Sequence, residues 1–113
     1  MRKLLVAALL LAVPAVLVVA APALSKRKSV EVDDNYFVRA GAPRTVSVKK
    51  NDTVVWVWEG RNPHNVTVTR GPVKFKSRTK TSGRYSKKLT RRGTYSILCT
   101  VHPPGMRMKV KVR

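Results

Sequence analysis

Acidic residues and cysteine are the scarce members of this 113-residue chain: five Asp+Glu stand against 24 Lys+Arg, and there is one Cys. A single cysteine closes no bridge within its own chain, so a disulfide scaffold is excluded. The sequence holds no internal repeat, no heptad pattern, no Gly-rich phosphate cradle and no Ser-His-acid arrangement. Its length leaves room for one small domain, which excludes a doubly wound nucleotide-binding sheet or an α/β barrel. Disorder fits poorly, because 43% of the residues are hydrophobic and many of them alternate with polar ones.

What is abundant is positive charge. The formal net charge is +19; Arg2 and Lys3 fall in a targeting segment, so the remainder carries +17. Such a field favours acidic partner proteins or anionic membrane and cell-wall surfaces. Nucleic acid is excluded as a partner by the absence of any recognition motif and by the export argued next.

Arg2-Lys3 forms a short positive region, followed by an apolar run from Leu4 to Ala20 broken only by Pro14. Ala21-Pro22-Ala23 supplies small residues at the spacing of a cleavage site, so residues 1–23 read as a signal peptide cut after Ala23, with Ala21 as the alternative. The competing reading is an uncleaved anchor, since Leu4–Leu24 is about long enough to span a bilayer. Either way the basic remainder lies outside the cytoplasm. Arg2-Lys3 is not an Arg pair, so export in an unfolded state is expected, with any metal loaded afterwards.

Residues 24–29 read as a basic linker, and residues 30–113 as one domain of seven to eight short alternating strands. Turn residues punctuate those strands in the manner of an all-β sandwich. Val30-Glu31-Val32 opens the first strand, Asp33-Asp34-Asn35 interrupts it, and Tyr36–Val38 continues it. Thr45–Lys49 follows, and Thr53–Trp58 is apolar on both faces, which marks a central strand. His64, Val66 and Val68 share a face. Gly71–Gly83 reads as a long surface loop, and Tyr85–Leu89 as a basic edge strand. Tyr95, Ile97, Cys99 and Val101 share a parity, His102–Gly105 is a turn, and the last strand begins at Met106.

Five side chains outside the leader are soft or borderline metal donors: His64, Cys99, His102, Met106 and Met108. Four fall in Cys99-Thr-Val-His102-Pro-Pro-Gly-Met106-Arg-Met108, bent around a Pro-Pro-Gly turn, and His64 starts a strand facing the core. Thiolate and thioether suit copper(I), and two imidazoles suit both copper oxidation states. Met108 has the parity of a ligand, but core packing against Val110 is its expected role. Zinc is the competing metal, with water completing an open site, but no carboxylate lies near the motif in sequence to act as a base.

The segments Asp34-Asn-Tyr-Phe37, Asn62-Pro-His-Asn-Val66, Gly71-Pro-Val-Lys-Phe75, Gly93–His102 and Gly105-Met106 resemble those of a plastocyanin-like cupredoxin. The resemblance implies a Greek-key β-sandwich with one type 1 (blue) copper ion and a role in carrying single electrons. It implies His64, Cys99 and His102 as equatorial ligands, Met106 as the axial one, and Asn65 as a brace for the Cys-bearing loop. Three residues separate His102 from Met106, where the family commonly has two or four. The resulting expectation is a monomeric, non-enzymatic carrier served by an acidic redox partner. The alternative is a copper-binding or delivery protein that uses the same ligands without shuttling electrons.

Overall fold

The computed structural model describes residues 24–38 and 44–113, together with Ala12 and Pro14. The signal segment expected over residues 1–23, and a turn that Gly41-Ala42-Pro43 leads one to expect, otherwise lie outside the described residues. Among those described, no helix is long and apolar enough to cross a membrane.

Eight strands form in chain order: β1 (Arg27–Asp33), β2 (Tyr36–Phe37), β3 (Thr45–Val48), β4 (Thr53–Trp58), β5 (Thr67–Arg70), β6 (Arg84–Lys88), β7 (Gly93–Leu98) and β8 (Arg107–Val112). They build two mixed four-stranded sheets, ordered β2-β1-β4-β6 and β3-β8-β7-β5. Strands β1 and β4 pair in parallel, as do β3 and β8; the other neighbours are antiparallel. The chain changes sheet at each connection from β2 to β7, so the all-β sandwich expected from the alternation is present.

Period-2 patterning explains the core. In β8 the buried Met108, Val110 and Val112 alternate with exposed Arg107, Lys109 and Lys111, while Val30, Val32, Val54, Trp56, Tyr95 and Ile97 meet them from the other strands. Alternation puts one side of each strand against the opposite sheet and the other in water. Val55, on the reverse face of β4, is buried too, as its position between β1 and β6 requires. Trp56 ties the sheets together, donating its Nε1–H to Met108 Sδ at 3.5 Å and stacking obliquely on Phe75 and Tyr85.

Several strand limits differ from the sequence expectation. Part of the stretch read as the linker 24–29 is ordered: Arg27–Ser29 pair with Thr53–Val55. Their side chains are exposed, so no apolar alternation announced the strand; backbone pairing alone extends it. Tyr36–Phe37 does not continue the first strand. It folds back antiparallel on Val32–Asp33 through a turn in which Asn35 takes a φ of 72°, a region Asn tolerates better than most residues. Residues 71–83 are not a detached loop, because Thr67 pairs with Lys76, His64 pairs with Lys80, and Phe75 packs on the core. Val101 keeps the parity of Cys99 but is 44% exposed, since the strand has already ended at Leu98.

At the end remote from His64, Asp52 holds two chain segments together. Its carboxylate accepts the backbone N–H of Lys26 at 2.8 Å and of Lys49 at 2.9 Å. Tyr95 is fully buried, and its hydroxyl donates to the carbonyl of Arg91 at 2.8 Å.

Candidate metal centre

Two remote segments supply the donors. His64 lies within the β4–β5 connection, before β5 and not at its start as expected, and is fixed by a pair of backbone hydrogen bonds with Lys80, each of 3.0 Å. Cys99 directly follows β7, and the loop beyond it returns as β8. That loop closes on itself: His102 N–H donates to the Cys99 carbonyl at 3.2 Å, Met106 N–H to the His102 carbonyl at 3.3 Å, and Cys99 N–H to the Met106 carbonyl at 2.9 Å.

The donor atoms meet. His64 Nδ1 and His102 Nδ1 are 3.2 Å apart, and Cys99 Sγ lies 3.8 Å from the first and 3.7 Å from the second. Two imidazole nitrogens facing each other at that distance either share one proton or oppose their lone pairs, and a cation between them removes the conflict. In a triangle with sides of 3.2, 3.8 and 3.7 Å, one in-plane point lies about 2.0 Å from each nitrogen and about 2.2 Å from the sulfur, close to the bond lengths of a first-row metal. The residues present therefore fit a single ion held by two imidazoles and a thiolate.

Burial separates the donors. His64, Cys99 and Met106 are sealed from solvent, whereas His102 is half-exposed. Exposed Val101, Pro103, Pro104 and Gly105 surround it. Met106 lies just before β8, not within it as expected, because its backbone closes the loop to Cys99. Met108 shares its parity, but its sulfur accepts the Trp56 indole N–H inside the core, as its expected packing role requires.

Asn65 couples the two segments. Its Nδ2 donates to Thr100 Oγ1 at 2.7 Å and Thr79 Oγ1 at 3.0 Å, while its Oδ1 accepts Thr100 N–H at 3.1 Å and Thr67 Oγ1–H at 2.9 Å. The residue after the first histidine thus grips the residue after the cysteine.

One acid was missed. In sequence no carboxylate stands near the ligand motif, yet Asp34 Oδ1 lies 3.1 Å from His64 Nε2. It faces the side of the ring remote from Nδ1 and cannot serve as a base toward the donor triangle. The backbone N–H groups of Asn62 and Arg61, followed by His64, hold its carboxyl below the usual carboxylate range. The Asp34–Phe37 segment noted in the resemblance was its only signal. Among the described residues, His64, Cys99 and His102 form the one His/Cys/acid cluster close enough to share an ion.

The outer face of the β3-β8-β7-β5 sheet carries no acid, because none of those strands contains Asp or Glu. From residue 60 to the carboxyl terminus the chain has no acidic residue at all. A groove of about 660 Å³ on this face is lined by Arg44, Arg70, Arg107 and Lys109, and it reaches Leu98 and Pro104 of the donor end.

Comparison with known proteins agrees with this architecture. An oxidised amicyanin variant is 30% identical, with 76% of this chain and 81% of that chain covered and a TM-score of 0.61. The purple cupredoxin of Nitrosopumilus maritimus, 22% identical over 76% of this chain and 99% of its own, shares the fold at a TM-score of 0.63. So does the Cu-containing nitrite reductase of Thermus scotoductus, 24% identical with a TM-score of 0.64, in which 84% of this chain covers only 24% of the enzyme. Comparison with curated protein sequences gives no match. The model of the copper binding proteins of the plastocyanin/azurin family matches residues 27–113. With two histidines and a cysteine converging at one end of a mixed β-sandwich, the chain belongs to that family of copper-binding cupredoxins.

Proposed function

We propose that this protein is an extracytoplasmic carrier of single electrons and not an enzyme, in which His64, Cys99, His102 and Met106 would hold one type 1 copper ion. The observation that carries the reading is the triangle of two Nδ1 atoms and one Sγ. Bound copper supplies a one-electron couple between Cu(I) and Cu(II). The chain supplies everything else. Strand ends and the Asn65–Thr100 bonds keep the donors in place, so that little has to move when charge changes. His64 and Cys99 exclude water by their burial. Half-exposed His102 offers the exit edge, and Val101, Pro103 and Pro104 around it form a dry contact patch. A weak, short-lived encounter fits a small patch of that kind.

The redox partner is an acidic protein, steered by the Arg44, Arg70 and Arg107 groove beside the ligand loop. Electrostatic steering raises encounter rates more than affinity, which suits a carrier that must also leave. Location outside the cytoplasm rests on the positive, apolar and Ala-x-Ala pattern of residues 1–23.

Copper(II) added to the purified domain is expected to give an intense blue colour that bleaches on reduction, and Cys99→Ser is expected to abolish it. A folded, colourless protein would refute the reading. Repeated reduction and oxidation with copper retained identifies a carrier; release of copper on reduction identifies a delivery protein instead.

A further inference from the structure

The mechanism above makes no use of the carboxylate behind His64. Asp34 is held more firmly than an ordinary surface acid. Its Oδ1 accepts the N–H of Asn62 at 2.8 Å and of Arg61 at 3.0 Å, and its Oδ2 accepts Arg61 N–H at 3.1 Å. The turn carrying those groups is fixed from β1, because Glu59 N–H donates to the Val32 carbonyl at 2.9 Å. Gly60 completes the cradle: a Cβ there would collide with the Asp34 carboxylate. Its side chain is 36% exposed, so these N–H bonds, and not enclosure, hold the carboxylate toward the ring.

His64 is wholly buried, so no water reaches its Nε2. If Nδ1 is to donate a lone pair within the triangle, the ring proton must sit on Nε2. The partner of that proton is Asp34 Oδ1, at 3.1 Å. A carboxylate behind a ligating imidazole fixes its tautomer and orientation and makes the ring a stronger donor. A negative group on that side also favours the more positive of two metal oxidation states.

We propose that Asp34 is a positioning residue that commits His64 to its Nδ1-donating tautomer and biases the site toward copper(II), setting the reduction potential lower than the ligands alone would. This inference rests on the type 1 copper reading for its second half only; the tautomer is a property of the protein without metal.

The test compares Asp34→Asn, which keeps an acceptor and removes the charge, Asp34→Ala, and Asp33→Asn as a control that loses the same charge one residue away. Asp33 accepts the Tyr36 hydroxyl on Oδ2 and the Asp34 backbone N–H on Oδ1, a bond that an amide oxygen can keep, and it has no hydrogen bond to His64. In metal-free protein, long-range 15N–1H spectra of the His64 ring should show the proton wholly on Nε2 in the wild type and shared between nitrogens in Asp34→Ala. In copper-loaded protein, Asp34→Asn should lower the copper(II)-to-copper(I) affinity ratio about tenfold, a rise in potential of about 59 mV for one electron. Asp33→Asn should change that ratio less than about twofold. Equal shifts in Asp34→Asn and Asp33→Asn, or an unshared Nε2 proton in Asp34→Ala, would overturn the proposal. Should Asp34→Ala not fold, Asp34→Leu, which fills similar space and likewise offers no acceptor, takes its place in the tautomer arm. A wild type with no blue site refutes the copper reading, while the metal-free spectra still decide the tautomer.

Discussion

Replacing Asn65 by alanine tests the link between the fold and the metal centre. Asn65 makes four hydrogen bonds, to Thr67, Thr79 and twice to Thr100, and is itself buried. At about 0.5–1.5 kcal/mol net for each bond, complete loss would cost roughly 2–6 kcal/mol. Thr79 and Thr100 are exposed, and their hydroxyls can turn to water. The low end therefore applies, about 2–3 kcal/mol. For a domain of this size that corresponds to a fall in melting temperature of roughly 10–20 °C. Calorimetry of metal-free protein measures it directly, and a double-mutant cycle with Thr100→Val isolates the bridging part. The same change should broaden the copper optical band, because the segments bearing His64 and Cys99 lose the bonds that join Asn65 to Thr100. A loss below about 1 kcal/mol, or no coupling to Thr100, would refute the bracing role.

Met108→Leu should cost about 1–2 kcal/mol in urea unfolding, because the buried Trp56 N–H loses its acceptor, yet leave the copper spectrum unchanged; Met106→Leu should do the reverse. Asp52 has a carboxyl held below its usual range by the N–H of Lys26 and then of Lys49. Its contribution to stability is therefore complete above the ordinary carboxylate pKa of about 4 and is lost as pH falls through the lower folded value. Asp52→Asn should accordingly flatten the acid limb of stability measured by urea midpoints from about pH 6 to about pH 2. Arg44→Glu/Arg70→Glu/Arg107→Glu should slow oxidation of the reduced protein by hexacyanoferrate(III) at low salt more than Arg84→Glu/Lys87→Glu/Lys88→Glu, which changes net charge equally on the other sheet. Equal slowing by the two triples would remove the groove from the docking account.

The carboxyl-terminal strands were legible because each has one buried face, so alternation in β7 and β8 translates directly into burial. The donor set was legible for a related reason: three of its members lie within eight residues around a proline turn. What escaped depends on partners distant in sequence. Arg27–Ser29 has no apolar pattern and becomes a strand only by pairing with β4. The reversal at Asn35 needs a local left-handed backbone that many sequences would accept. Asp34 reaches His64 across a separation of 30 residues, which no local spacing announces. Met106 and Met108 share a parity, and only the placement of Trp56 tells them apart.

Strand β6 closes its sheet with Arg84, Lys87 and Lys88 along an unpartnered margin. Two copies meeting margin to margin would bring identical cations together, and such like-charge contact resists the templated stacking that bare strand margins invite. A domain with such a margin can therefore be crowded without sticking to itself. The same repulsion falls away only when something negative comes alongside.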